Sequence, residues 1–169
     1  MTCWNNNKKT NMIVTKKVEI KELFLPNYEY LCPMYHTLIL KNASHKDKGA
    51  VMTDWMFQPL RPIADFVIGQ LVKDNTYKNK LVATDFFGQY YDIGHHQDWH
   101  DHMPAHYSFV LFTNTPKGSS ELCFENFSVE PERGKIVVIP GDMYHYVPEN
   151  KGEFRSVVVG NLQYRLERE

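Results

Sequence analysis

From residue 82 to the end of the chain, short apolar segments alternate with turn-forming clusters, and that rhythm limits what the chain can fold into. Segments 82–93, 106–114, 121–127, 135–139, 143–147 and 154–165 are rich in Val, Ile, Phe and Tyr. Between them lie Thr115-Pro116-Lys117-Gly118, Pro131-Glu132-Arg133-Gly134, Pro140-Gly141-Asp142 and Pro148-Glu149-Asn150-Lys151-Gly152. β-Branched and aromatic side chains suit a pleated, half-buried surface, and Pro and Gly clusters interrupt it. Regularly spaced short strands with such punctuation fit a β-sandwich or jelly roll. The 14% aromatic content, with 10 Phe and 10 Tyr, leans the same way.

The first part of the chain is less regular. Residues 13–60 read as short strands and turns, with Thr37-Leu38-Ile39-Leu40 the clearest strand. Pro62 then opens a new pattern, in which Ile63, Phe66, Val67 and Val72 recur at helical spacing. This predicts one amphipathic helix over about 62–73, ended by Asp74-Asn75 and laid on an outer face of the β structure. Residues 1–12 are polar and Asn-rich and read as disordered or extended; residues 13–169 read as a single domain, a length that suits one core.

Bulk properties narrow the class. The net charge of −1 and pI of about 6.7 call for no polyanionic partner, which argues against nucleic acid. The basic run Lys8, Lys9, Lys16, Lys17 and Lys21 reads as a solvated arm. Cys3, Cys32 and Cys123 form no Cys-x-x-Cys, so neither a disulfide framework nor a thiolate metal site is expected, and a reducing compartment fits. Met1 to Met12 lacks the apolar run of a signal peptide, and no stretch approaches the ~20 apolar residues of a membrane span. The expectation is a soluble cytoplasmic protein.

Histidines carry the chemical signal. Of 8 in the chain, five fall in one window: His95, His96, His100, His102 and His106. His145 follows far downstream. On an extended strand, His100 and His102 present their side chains to one face. A third imidazole from a neighbouring strand, His145, would complete a facial metal set with positions open for a co-substrate and oxygen. His96-Gln97-Asp98 is a competing set that would supply a His-x-Asp half-site, but its offset from Gly94 is short for a turn into the ligand strand. His95 and His106 read as supporting or surface residues. Asp101 alternates to the face opposite His100 and His102.

Arg155 adds an anion receptor. In the last strand Arg155, Val157, Val159 and Asn161 share one face. Apolar neighbours point the guanidinium inward, and a buried cation needs a partner. No nearby acidic residue is an obvious one. A bound carboxylate fits the planar fork of the side chain. In a jelly roll the His145 and Arg155 strands belong to facing sheets about 10 Å apart. A five-carbon dicarboxylate would bridge them.

The strings Asp98-Trp99-His100-Asp101-His102, Ile139-Pro140, His145-Tyr146-Val147-Pro148-Glu149-Asn150 and Arg155-Ser156 resemble the iron(II)- and 2-oxoglutarate-dependent oxygenases, in particular short members from viruses and marine bacteria. Val51-Met52-Thr53-Asp54-Trp55 is similar to the N-terminal part of that group. The resemblance implies a double-stranded β-helix, Fe(II) at His100, His102 and His145, 2-oxoglutarate at Arg155, and O2 as co-reactant. Nucleic-acid demethylases of the superfamily grip 2-oxoglutarate with an Asn-x-Tyr pair ahead of the first metal histidine. Gln89-x-Tyr91 stands at that offset here, and Asn161 stands where they carry a second basic residue.

One departure is notable: most members have Asp or Glu where this chain has His102. A third imidazole leaves the iron site one unit more positive, unless a carboxylate such as Asp98 or Asp101 takes part. Two rivals remain at this stage. One is a cupin-type metalloprotein with three histidines and no 2-oxoglutarate. The other is a non-enzymatic jelly-roll module with a structural zinc. Trp99, Tyr107, Tyr144 and Tyr146 are candidate pocket walls, and the substrate is open.

Overall fold

The computed structural model describes residues 20–47, 49–73 and 80–165. The expectations for residues 1–12 and for a helix stop at Asp74-Asn75 lie outside them. Two antiparallel sheets carry the fold. The strands are β1 (Lys21–Phe24), β2 (His45–Asp47), β3 (Ala50–Met52), β4 (Leu81–Tyr91), β5 (Gln97–His100), β6 (Tyr107–Asn114), β7 (Leu122–Phe124), β8 (Ser128–Val129), β9 (Lys135–Pro140), β10 (His145–Val147) and β11 (Arg155–Tyr164). The larger sheet has the order β1-β9-β6-β11-β4-β3-β2, and the smaller β5-β10-β7-β8. The β-rich segments expected from residue 82 onward are all present, and the architecture is the expected jelly roll.

Strand alternation divides the core in two. Phe87, Tyr91, Val110, Phe112, Val157 and Val159 of the large sheet meet Leu122, Phe124, Val129 and Val147 of the small one. The residues between them in sequence, including Phe86, Phe109, Leu111, Val158 and Leu162, face the other way, onto the helices. Because the large sheet is covered on both faces, Val157-Val158-Val159 is apolar throughout instead of alternating.

Two helices supply the outer layer: α1 (Tyr28–Asn42) and α2 (Arg61–Lys73). The second is the expected helix over 62–73. The first corrects the sequence reading, for Thr37-Leu38-Ile39-Leu40 is helical and not a strand. Cys32, Tyr35 and Ile39 are buried at helical spacing, while Thr37 is exposed and Leu38 and Leu40 are half-buried. A four-residue apolar run has no period of its own and fits either a strand or one turn of a packed helix. Pro33 lies inside the helix, where it removes one backbone hydrogen bond. Packing against the sheet supplies what local propensity does not.

Gly88 marks how closely α1 sits on β4: a Cβ there would lie 2.4 Å from Ile39 Cγ1. Gly88→Ala is expected to destabilise the protein by about 1–3 kcal/mol through overpacking, and Ile39→Ala by roughly 2–5 kcal/mol through the cavity it leaves. Urea titrations of the double variant should show a cost smaller than the sum, since each change relieves the other.

Candidate metal centre

The turn that starts the site depends on a backbone only glycine adopts readily. Gly94 has φ +86°, which swings the chain out of β4. Its N–H donates to Asn150 O at 2.7 Å, and Asn150 N–H donates to His95 O at 2.7 Å. The fully buried Asn150 side chain reinforces the tie, with Nδ2 donating to Tyr91 O at 2.8 Å. This clamp joins the segment after β10 to the start of β5. In β5, His100 then pairs directly opposite His145 of β10.

His102 reaches the same place by another route. Strand β5 ends at His100, so alternation along one strand does not account for the pair as expected from the sequence. The backbone N–H of His102 instead donates to Gly141 O at 2.7 Å, which holds the loop after β5 against the turn before β10. The outcome is the predicted trio: one nitrogen from each of His100, His102 and His145 lies within 4.8 Å of the others. His102 Nε2 and His145 Nε2 are 3.2 Å apart. Two nitrogens each about 2.1 Å from one ion and at right angles are roughly 3 Å apart, so the spacing suits ligands to a shared metal.

The outer nitrogens orient two of the rings. His100 Nδ1 donates to Asp98 O at 2.7 Å, and His145 Nδ1 donates to Met143 O at 2.8 Å. Each bond leaves the Nε2 lone pair turned toward the cluster, the arrangement that fixes a metal-ligating tautomer. The other histidines of the window stay outside. His96 Nε2 lies 3.5 Å from Asp98 Oδ1, with both side chains largely exposed, so the His96-Gln97-Asp98 set does not converge on a centre. His95 Nδ1 accepts the Asp92 N–H, and His106 packs edge-on against Tyr164. Asp101 Oδ1 accepts the Met103 N–H in the loop that follows β5.

The three histidines line a cavity of about 400 Å3 between the sheets, within the range of small-molecule sites. Arg155 lines it too, only 1% exposed. Its Nε donates to Ser120 O at 2.9 Å, and its guanidinium lies over Tyr91 and Phe112 at 4.7 and 5.4 Å. Burial pulls its pKa down, and the neighbouring Tyr91 and Cys123 offset part of that shift. No carboxylate of the described residues pairs with it, and its Nη1 is buried with no hydrogen-bond partner. Leaving a charged donor unmatched is costly, and an acceptor placed in the cavity would relieve that cost.

Tyr91 and Gln89 stand with Arg155, because β4 and β11 pair Tyr91 with Arg155 and Gln89 with Val157. The Tyr91 hydroxyl lies 2.8 Å from Gln97 Oε1 and 3.3 Å from Gln89 Oε1. The sequence reading gave Gln97 no role of its own; only the fold turns it inward. Asn161 lines the same cavity but is bonded to Asp85, with Nδ2 donating to Oδ1 at 2.8 Å. Burial pushes the Asp85 carboxyl above its ordinary range, and hydrogen bonds from Asn161 and Thr84 pull it partly back.

The expected aromatic walls are not used. Trp99, Tyr107, Tyr144 and Tyr146 do not line the cavity. Trp99 and Tyr146 follow the strand alternation away from His100 and His145 and meet each other outside, ring centroids 4.4 Å apart. Trp55, Phe87 and Tyr91 line it instead. Cys32 and Cys123 are buried and in no disulfide, and burial lifts the Cys32 pKa to about 11, which keeps it out of thiolate chemistry. No helix of the described residues is long and apolar enough to cross a membrane.

No protein-family model matches the chain, and no curated protein is similar to it. Solved structures are. A viral collagen prolyl hydroxylase from Paramecium bursaria Chlorella virus-1, determined as a 2OG complex, aligns over 88% of this chain and 98% of its own, with TM-score 0.69 and 14% identity. A prolyl-4-hydroxylase from Pseudomonas putida aligns over 88% and 94%, with TM-score 0.63 and 16% identity. A 2OG-Fe(II) oxygenase family oxidoreductase from Burkholderia pseudomallei aligns over 84% of both chains, with TM-score 0.64 and 10% identity. At these identities the likeness establishes the fold, and that fold is the one carried by oxygenases of the 2-oxoglutarate and iron(II) class.

Proposed function

We propose that this chain is an iron(II)- and 2-oxoglutarate-dependent oxygenase that hydroxylates a substrate still to be identified. The observation that carries the reading is the unmatched Nη1 of Arg155, buried in the same cavity as the three clustered histidines. His100, His102 and His145 would hold the iron, and Arg155 would take the far carboxylate of 2-oxoglutarate. When bound, iron(II) with 2-oxoglutarate supplies the activation of O2 that puts one oxygen atom into a C–H bond and leaves succinate and CO2. The protein's part is to hold and orient. The Nδ1 bonds of His100 and His145 keep their lone pairs aimed inward. Tyr91 packs against the Arg155 guanidinium and bonds to it, which fixes the fork before an anion arrives. The apolar lining, including Val157, Val159, Val110 and Leu122, excludes water from the reacting centre.

A third imidazole where relatives carry a carboxylate also suits a cupin-type dioxygenase without 2-oxoglutarate. That reading gives Arg155 Nη1 no acceptor.

Three measurements test the proposal. Anaerobic cobalt(II) or iron(II) titration should show one site, and His100→Ala, His102→Ala and His145→Ala should each weaken it by more than the roughly 10–100-fold that loss of a supporting bond costs. Incubation with iron(II), 2-oxoglutarate and ascorbate should yield succinate. Calorimetry should show that Arg155→Ala weakens 2-oxoglutarate binding by about 2–5 kcal/mol, the range for losing one member of a buried charge pair. Metal binding with neither succinate nor 2-oxoglutarate affinity would favour the cupin-type reading.

A further inference from the structure

The cavity has a second polar region that holds neither the proposed metal nor the Arg155 carboxylate site. Asp85 of β4 pairs in register with Asn161 of β11. Asn161 lies six positions beyond Arg155, about 20 Å along an extended strand. At that separation the two residues do not meet at one carboxylate group. Asn161 spends its amide nitrogen on Asp85. Its Oδ1 is buried without a hydrogen-bond partner. Asp85 accepts bonds from Asn161 and Thr84, which leaves part of its acceptor capacity open. This region thus presents two kinds of acceptor, one of them a buried amide oxygen with no matching donor.

The charges around the cavity are divided in the same sense. Arg155 is its one Lys or Arg side chain among the described residues, while Asp85 and Asp101 are both carboxylates. An anionic ligand placed near Asp85 would meet like charge. An organic cation would meet its complement, and it would relieve the penalty that burial imposes on the ionised carboxylate. Trp55 adds an aromatic face at the same place. Its carbonyl accepts the N–H of Phe86, the residue after Asp85, at 2.9 Å. Trp55 as a whole is 55% exposed yet lines the cavity, its ring centroid 4.7 Å from that of Phe87. A carboxylate beside an aromatic ring is a general receptor for ammonium and guanidinium groups.

We infer that Asp85, Asn161 and Trp55 form the substrate subsite, and that it takes a cationic nitrogen group, an alkylammonium or guanidinium. The role as substrate subsite rests on the oxygenase reading; the cation site itself does not. The same chemistry is offered by a free basic amino acid and by a lysyl or arginyl side chain in a polypeptide.

The test is a binding titration by ligand-observed NMR on the anaerobic protein, with and without iron(II) and 2-oxoglutarate. Probes are L-arginine against its neutral isostere L-citrulline, and L-lysine against L-norleucine. Nα-acetyl amides of arginine and lysine stand for a residue in a chain; tighter binding of these than of the free amino acids assigns a polypeptide source, and the reverse a free one. At least one cationic probe should bind about tenfold or more tightly than its neutral counterpart, equivalent to roughly 1.4 kcal/mol. Asp85→Asn should abolish that preference and leave 2-oxoglutarate affinity unchanged. Gln163→Lys, which sets a competing ammonium on the same strand at the half-buried cavity wall, should also lower cation affinity, and it covers the case in which Asp85→Asn fails to fold. Equal affinity for charged and neutral probes, or an unaltered preference in a folded variant, overturns the inference. Cation binding without 2-oxoglutarate binding keeps the cation site and removes the oxygenase reading.

Discussion

The antiparallel pairing of β4 with β11 is the constraint on which the site depends. Its register sets Tyr91 opposite Arg155, Gln89 opposite Val157 and Asp85 opposite Asn161. All of these then face the smaller sheet and its histidines. A slip of one residue would exchange the two faces of β11. Arg155 would turn toward α1, and Ser156, which now accepts or donates with His36 and Thr113 at 2.7 and 2.6 Å, would turn into the cavity. The continuous Val157-Val158-Val159 run cannot select the register by itself, because both faces of this sheet are apolar. Polar partners decide it: Arg155 needs Ser120 O and Tyr91, and Asn161 needs Asp85.

Electrostatics give the cavity a direction. A guanidinium fully removed from water is held by one carbonyl, two aromatic faces and a phenol, with one nitrogen left over. The histidine cluster has no carboxylate among its donors. On the proposed reading, a divalent ion held by three neutral imidazoles would keep its whole charge, which would strengthen its hold on an anionic co-substrate. Asp85 and Asp101 are the carboxylates that line this cavity. The cavity thus holds the buried cation of Arg155 in one part and the carboxylate of Asp85 in another.

Parts of this were legible in the residues. The strands after residue 81 and the helix α2 follow from period and punctuation, which are local properties. The histidine trio and Arg155 stood out because imidazoles and a cation among apolar neighbours have few uses. Helix α1 was not legible, since Pro33 interrupts its signal and its packing partner, Gly88, lies far along the chain. The aromatic walls were also misread. Proximity in sequence to His100 and His145 suggested Trp99 and Tyr146, but adjacent strand residues face opposite ways.

The sequence by itself pointed to the fold class, to the three histidines and to the inward cation, through residue type and spacing along the chain. Only the tertiary structure decided the rest. His102 joins the cluster through a backbone bond to Gly141, beyond the end of its strand. Gln97 turns inward to Tyr91, and Asn161 is occupied by Asp85 rather than left beside Arg155. These depend on register and on hydrogen bonds between segments up to 76 residues apart. Such pairings leave no periodic trace, since what selects them is the cost of burying a polar group without its partner.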